Sequence, residues 1–395
     1  MKRASSKVVV ALVCAGVLTG MLPSSLAEAA TVVATPTALR VTPGVGGVTV
    51  SWNPVAGTLV NYAVSSAPPG ASCTAVNKSS CFVTDTSSTR YTFSVMASAP
   101  GLGPSLPSPA TPALAPRLVL VLAGQSNANG YESYAVDPVT GINYMAAPYA
   151  NGADTHDQIT WLPWSEIQGA GGTPVPLDSP QQIGTPPNTT TIFGPELGLA
   201  RQIWTDTGKA VTIVKAAYTG TAIATNWNPN KKGSIPNGLF GGMVTKVQAV
   251  MAADATAGQF DVLGGFYWYQ GESETTHAGW ARAYQAHLQK LVAAVRAQLP
   301  MSPTAPVVLA KEDLSGYIAY MDSIGILSSG KKAAYLAGNA TVRAADDWAA
   351  ANLPDVVETD TYPLERAAPL YVHLDNVGQL ILGSRLAKVS ESRLP

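Results

Sequence analysis

The rhythm of apolar and polar positions changes near residue 117. Before it, apolar residues recur at every second position in Leu39 and Val41, in Val48, Val50 and Trp52, in Tyr62 and Val64, and in Tyr91, Phe93 and Val95. Clusters of Gly, Pro and Ser separate these runs, so residues 33–106 are predicted to form a small all-β sandwich of half-buried strands. Pro107, Pro109, Pro112 and Pro116 punctuate residues 107–116, which reads as a stiff connector. After it, over residues 117–395, the strands lose their alternation. Largely apolar strand candidates at 118–122, 211–217, 262–269, 306–310 and 356–359 take turns with helical patterns at 196–205, 239–251, 279–299, 333–350 and 376–389. In the third helix Trp280, Tyr284, Leu288, Leu291, Val295 and Leu299 recur at three or four positions, which marks one buried stripe. A strand without alternation is buried on both faces. The second unit is therefore expected to be α/β, a three-layer sandwich with a central parallel sheet. Residues 131–187, rich in Gly, Pro and Asn, are too long for an ordinary connection and are expected to shape a cleft.

The N-terminus has its own grammar. Lys2 and Arg3 precede an apolar run at 8–17, and Ala27-Glu28-Ala29 offers a small-x-small cleavage site. Residues 1–29 therefore read as a secretory signal peptide cut near Ala29, too short to span a membrane, and the mature chain is expected to be secreted. Cys14 falls within that segment, leaving Cys73 and Cys81, eight positions apart, as a candidate disulfide in an oxidising compartment. A formal net charge of −1 and 12% charged residues leave no electrostatic footprint for nucleic acid or an anionic membrane surface. The matches to glycosylation sequons at Asn77, Asn188 and Asn339 read as chance.

The candidate chemistry lies at strand ends. Residues 120–123 run straight into Gly124-Gln125-Ser126-Asn127, which would present Ser126 as a nucleophile at the carboxyl edge of a sheet. Of the four histidines, His156 lies in the long insertion, His277 opens a helix, and His287 lies beside that helix's apolar stripe. His373 alone follows the last strand and precedes the last helix, so it is the expected general base. The acid that orients a catalytic imidazole is less sharply marked. Glu272 follows an apolar strand that ends in Trp268-Tyr269 and is the first choice; Asp360 ends the last strand and competes. Glu274 is a weaker choice, and Asp375 reads as the cap of the final helix. For the oxyanion that acyl transfer creates, the expected donors are the Ser126 and Gly220 N–H groups and the Gln270 amide.

Two resemblances follow from these residues. The N-terminal pattern, with Pro36, Leu39, Val-Thr-Val-Ser-Trp at 48–52, Tyr-Thr-Phe-Ser-Val at 91–95 and a Gly-x-Gly-Pro closure, resembles a fibronectin type III module. Gly-Gln-Ser-Asn after a strand, Phe-Gly-Pro-Glu at 193–196, a Gly-Thr loop at 220–221, Trp-x-Gln-Gly-Glu at 268–272 and His-x-Asp at 373–375 together resemble the sialate O-acetylesterase and acetylxylan esterase group. That is carbohydrate esterase family six, within the SGNH-like hydrolases, and the match spans about 117–392. The resemblance implies a secreted serine esterase that deacetylates carbohydrate or another small ester, without a metal or cofactor. Ser126 would be the nucleophile, His373 the base and Glu272 its carboxylate partner. The chain departs from the pattern where many SGNH-like enzymes carry an acid three residues before the histidine, because that position is Leu370. Two alternatives stay open: an esterase of the same chemistry acting on lipid or polyester, and a non-catalytic glycan-binding protein on a hydrolase scaffold.

Overall fold

The computed structural model of the chain describes residues 32–84, 89–162, 167–168, 174–179, 181–185, 188–233, 237–301 and 304–395. The signal segment expected at 1–29 lies outside them.

The N-terminal strands are β1 (Thr37–Gly44), β2 (Gly47–Asn53), β3 (Asn61–Ala67), β4 (Ser72–Val76), β5 (Ser80–Thr84) and β6 (Thr92–Ser98). They form two antiparallel three-stranded sheets, β1-β2-β5 and β4-β3-β6, as the alternation predicts. Their inward residues, Val48, Val50, Trp52, Tyr62, Val64, Phe93 and Val95, share one core. The Cys73–Cys81 disulfide joins β4 to β5 and so ties the sheets together.

The stretch expected to be a connector is docked instead. Ser105, Ser108, Thr111 and Leu114 donate their backbone N–H groups to the carbonyls of Ala97, Val95, Phe93 and Tyr91 at 2.8–2.9 Å. Ser105, Ser108 and Thr111 also accept, through their hydroxyls, from the N–H groups of Ala97, Val95 and Phe93 at 2.9–3.0 Å. Three connector residues advance for every two along β6. The prolines fall between the pairing positions, where no N–H is needed. Every pairing group of this strand edge between 91 and 97 is thereby covered.

The second unit is built on strands β7 (Arg117–Gly124), β8 (Gln158–Trp161), β9 (Ile167–Gln168), β10 (Val175–Pro176), β11 (Gln181–Thr185), β12 (Asn188–Ile192), β13 (Val211–Ala217), β14 (Asp261–Tyr269), β15 (Val307–Lys311) and β16 (Val356–Asp360). Seven of them make one sheet in the order β10-β8-β13-β7-β14-β15-β16, parallel except for β10 at its edge. Strands β9, β11 and β12 form a small separate sheet. The helices are α1 (Ser126–Asn129), α2 (Ala153–His156), α3 (Glu196–Thr207), α4 (Leu239–Thr256), α5 (Glu272–Thr275), α6 (Ala278–Gln298), α7 (Ser315–Ser323), α8 (Ser329–Asn352) and α9 (Asn376–Ser390). Along β7, Val119, Val121 and Ala123 face the core shared with α4, α6 and α8, while Leu118, Leu120 and Leu122 face α3 and α9. Both faces are covered, which is why the run carries no polar alternation.

Two features of this architecture place the site. After β7 the chain lays down β8, β10 and β13 on one side and then β14 on the other, so the carboxyl end of β7 is the switch point of the sheet, where α/β folds open a crevice. Helices α3 and α9 approach backbone to backbone. A Cβ on Gly198 would sit 2.2 Å from the Leu380 carbonyl oxygen, and one on Gly383 would sit 2.2 Å from that of Pro195. This contact draws the start of α9, and the loop before it, against the switch point. The N-terminal unit is fastened to the same scaffold, because Phe260 and Val262 of the second unit belong to its core.

Candidate active site

Strand β7 ends at Gly124, whose φ of +150° and close approach to β14 both require glycine. A Cβ there would lie 1.9 Å from the Tyr269 carbonyl oxygen. The chain turns at once into α1, and its first residue is Ser126, buried to 4% exposure. The Ser126 hydroxyl lies 2.9 Å from His373 Nε2. His373 arrives from the β16–α9 loop, and the Tyr131 ring packs against it at 5.7 Å between centroids.

The acid beside His373 is a different residue from those expected. His373 Nδ1 is 3.1 Å from Glu132 Oε2, in the first loop after the nucleophile. Glu132 has φ +62°, a left-handed conformation that a glutamate rarely adopts and that the surroundings must hold. Glu272, the first choice from sequence, is hydrogen-bonded elsewhere: its Oε1 accepts from Asn127 Nδ2 at 2.8 Å. Burial, with the charge of Glu312 second, pushes its carboxyl up to about 8. The physical reason for the correction is depth. Glu272 is buried at the start of α5 with its carboxylate taken up by Asn127, whereas Glu132 stands partly exposed beside the imidazole. Asp360 is also elsewhere, paired with Arg343 at 2.5 Å on the far strand β16. Asp375 caps α9 through Gly378 N–H at 2.7 Å, as predicted. Glu274 accepts from Ile223 N–H at 2.7 Å and from the Gln270 amide.

Among the expected oxyanion donors, Gly220 lies in the exposed turn after β13, with φ +68° and open space where a Cβ would stand. Gln270 is corrected. It is 1% exposed, and its amide nitrogen is engaged by Glu274 and by the Thr221 carbonyl at 3.2 Å. It braces the loop under the site rather than facing the cleft. No group of His, Cys, Asp and Glu arranged to hold a metal occurs among the described residues.

A buried ion pair supports the nucleophile turn from below. Lys215 of β13, 1% exposed, donates to the Asn129 carbonyl at 2.7 Å and to Glu196 Oε1 at 2.8 Å. Glu196 Oε1 also accepts from Gly194 N–H at 2.8 Å. Sequence reasoning gave no role to Glu132, Lys215 or the Asn127 side chain. The departure at Leu370 was the available signal for Glu132, since an imidazole without its usual acid invites a search of the nearest loop.

A parallel sheet covered on both faces, with a serine hydrogen-bonded to a histidine at its switch point, defines an α/β hydrolase of the SGNH-like kind. The chain belongs to the carbohydrate esterase family of sialic acid-specific acetylesterases, whose model matches residues 116–391. It is thus a carboxylic ester hydrolase. Solved structures similar to it include a protein from Arabidopsis thaliana, 20% identical over 71% of this chain and 100% of that one, with a TM-score of 0.46. A carbohydrate acetylesterase from Xanthomonas citri is 19% identical over 91% of this chain and 75% of its own, with a TM-score of 0.47. NanS is 15% identical over 70% and 97%, with a TM-score of 0.45. No curated protein sequence matches the chain.

Proposed function

We propose that this protein is a secreted serine esterase that removes acetyl or other short acyl groups from carbohydrate, using Ser126, His373 and Glu132. The observation that carries the reading is the 2.9 Å contact between Ser126 and His373 at the switch point of the sheet. Family membership supports the ester and carbohydrate class. In the first step His373 Nε2 takes the Ser126 proton as the oxygen attacks the ester carbonyl. Glu132 accepts from Nδ1, which keeps the imidazole in the tautomer whose Nε2 lone pair faces Ser126 and stabilises the imidazolium that forms. The Ser126 and Gly220 N–H groups hold the oxyanion. The alcohol departs with the proton from His373, leaving an acyl-serine, and water repeats the sequence to release acetate. The N-terminal unit acts as a mount of the fibronectin type III kind, a reading supported by its two sheets.

Acetate release from an acetylated oligosaccharide and from 4-nitrophenyl acetate tests the proposal. Ser126→Ala and His373→Ala should each lose roughly a thousand-fold or more in kcat/KM while remaining folded. Equal turnover in Ser126→Ala would overturn the assignment. Tight glycan binding without turnover in the wild type would favour the non-catalytic reading.

A further inference from the structure

His373 stands 247 positions from the serine it serves, in a loop rather than on a helix or strand. Such a residue is only as well placed as its peptide backbone. Directly beneath it lies the Asn127 side chain, with Asn127 wholly buried. Asn127 Oδ1 accepts from Leu374 N–H at 2.9 Å, and Nδ2 donates to the Val372 carbonyl at 3.0 Å. One amide therefore brackets His373 through the residues on both sides of it. The second Nδ2 hydrogen goes to Glu272 Oε1 at 2.8 Å. Both amide donors are then used, and a flipped amide would face oxygen with oxygen and N–H with N–H. Gln379 Nε2 holds the Asn127 carbonyl at 3.0 Å. Arg366 also donates to the Val372 carbonyl, at 2.8 Å. That carbonyl has two holders, whereas the Leu374 N–H is held by Asn127.

We infer that Asn127 is the positioning residue for His373, and that Glu272 acts on the base through Asn127, by locking the amide's orientation, rather than through the imidazole. The inference rests on the reading of Ser126 and His373 as nucleophile and base. It assigns a purpose to the Trp-x-Gln-Gly-Glu segment that does not need the Glu272 charge. A neutral oxygen at that place accepts from Asn127 equally well, so the conservative amide should serve.

The test compares Asn127→Ala, Glu272→Gln, Glu272→Ala and the double variant Asn127→Ala/Glu272→Ala in the full chain, with 4-nitrophenyl acetate. Displacement of a reacting group by about 1 Å costs up to roughly a hundred-fold. Asn127→Ala should lower kcat roughly 30- to 100-fold with KM within about two-fold. Glu272→Gln should stay within about three-fold of the wild type, while Glu272→Ala falls about ten-fold. In the Asn127→Ala background, Glu272→Ala should cost nothing more, because the chain of contacts is already broken. The comparison of Glu272→Gln with Glu272→Ala leaves Asn127 intact and stands even where Asn127→Ala does not fold. An equal loss in Glu272→Gln and Glu272→Ala would overturn the inference, as would full additivity in the double variant or an unchanged kcat in Asn127→Ala. Turnover that survives Ser126→Ala would instead overturn the reading beneath it.

Discussion

Replacing Glu132 by Gln keeps the size of the side chain and removes its charge and its role as pure acceptor. The carboxylate oxygen lies 3.1 Å from His373 Nδ1, and the Glu132 side chain is 29% exposed. Coulomb's law at that separation gives about 1 kcal/mol in water and about 5 kcal/mol at an effective dielectric of 20. The partial exposure places the value between them, at about 2–3 kcal/mol, in the range of hydrogen bonds to charged groups. At about 1.4 kcal/mol per decade, kcat/KM should fall roughly 30- to 150-fold. That is less than the loss for a fully buried triad acid, because water substitutes in part for the lost oxygen. The assay is hydrolysis of 4-nitrophenyl acetate at pH 7.5 beside Glu272→Gln, with circular dichroism as the check on folding. A Glu132→Gln enzyme within three-fold of wild type would refute the reasoning, most sharply if Glu272→Gln lost a hundred-fold.

Three further outcomes follow from particular side chains. Lys215→Met strands the Glu196 charge and the Asn129 carbonyl, and should cost about 3–5 kcal/mol by urea denaturation, of which Lys215→Met/Glu196→Gln recovers a part; an equal loss in both variants would count against the pair as the cause. Burial pushes the Asp157 carboxyl up to about 7 against the opposing Val211 N–H bond, so the folded chain keeps a proton that the unfolded chain has lost above about pH 4. Stability should therefore fall as pH rises from about 4 to 7, by at most about 4 kcal/mol from this group, and Asp157→Asn should flatten the slope seen by denaturation at pH 5 and pH 8. The Cys73–Cys81 bridge closes a short loop, so Cys73→Ser/Cys81→Ser should weaken the N-terminal unit by about 2–3 kcal/mol while hydrolysis of a small ester is unchanged; a parallel loss of activity would show the units to be coupled.

Strands β7, β13, β14, β15 and β16 and helices α3, α4, α6, α8 and α9 were legible because each carries a period that its surroundings enforce. Strands covered on both faces are largely apolar, and helices buried on one face carry a stripe. Strand β8 and the edge strand β10 are short and mixed in composition, and α7 carries too few buried positions to register. At the site, the sequence pointed to Ser126 from the turn after β7 and to His373 from the loop between the last strand and the last helix, and a hydrogen bond brings the two together. Glu132 was not, because a side chain's partner depends on a loop conformation that no periodicity encodes. Glu272 misled for a related reason. A carboxylate at the carboxyl edge of a strand can face the cleft or the interior, and the choice is made by Asn127, which captures it from below.

The docked connector has a mechanical meaning. A free tether would let the hydrolase sweep a volume set by its length, and the local supply of ester would vary with that volume. Here the ladder on β6 and the shared core at Phe260 and Val262 remove the tether's freedom. The serine is held at one bearing and one distance from the N-terminal unit. Reach becomes a fixed dimension of the molecule.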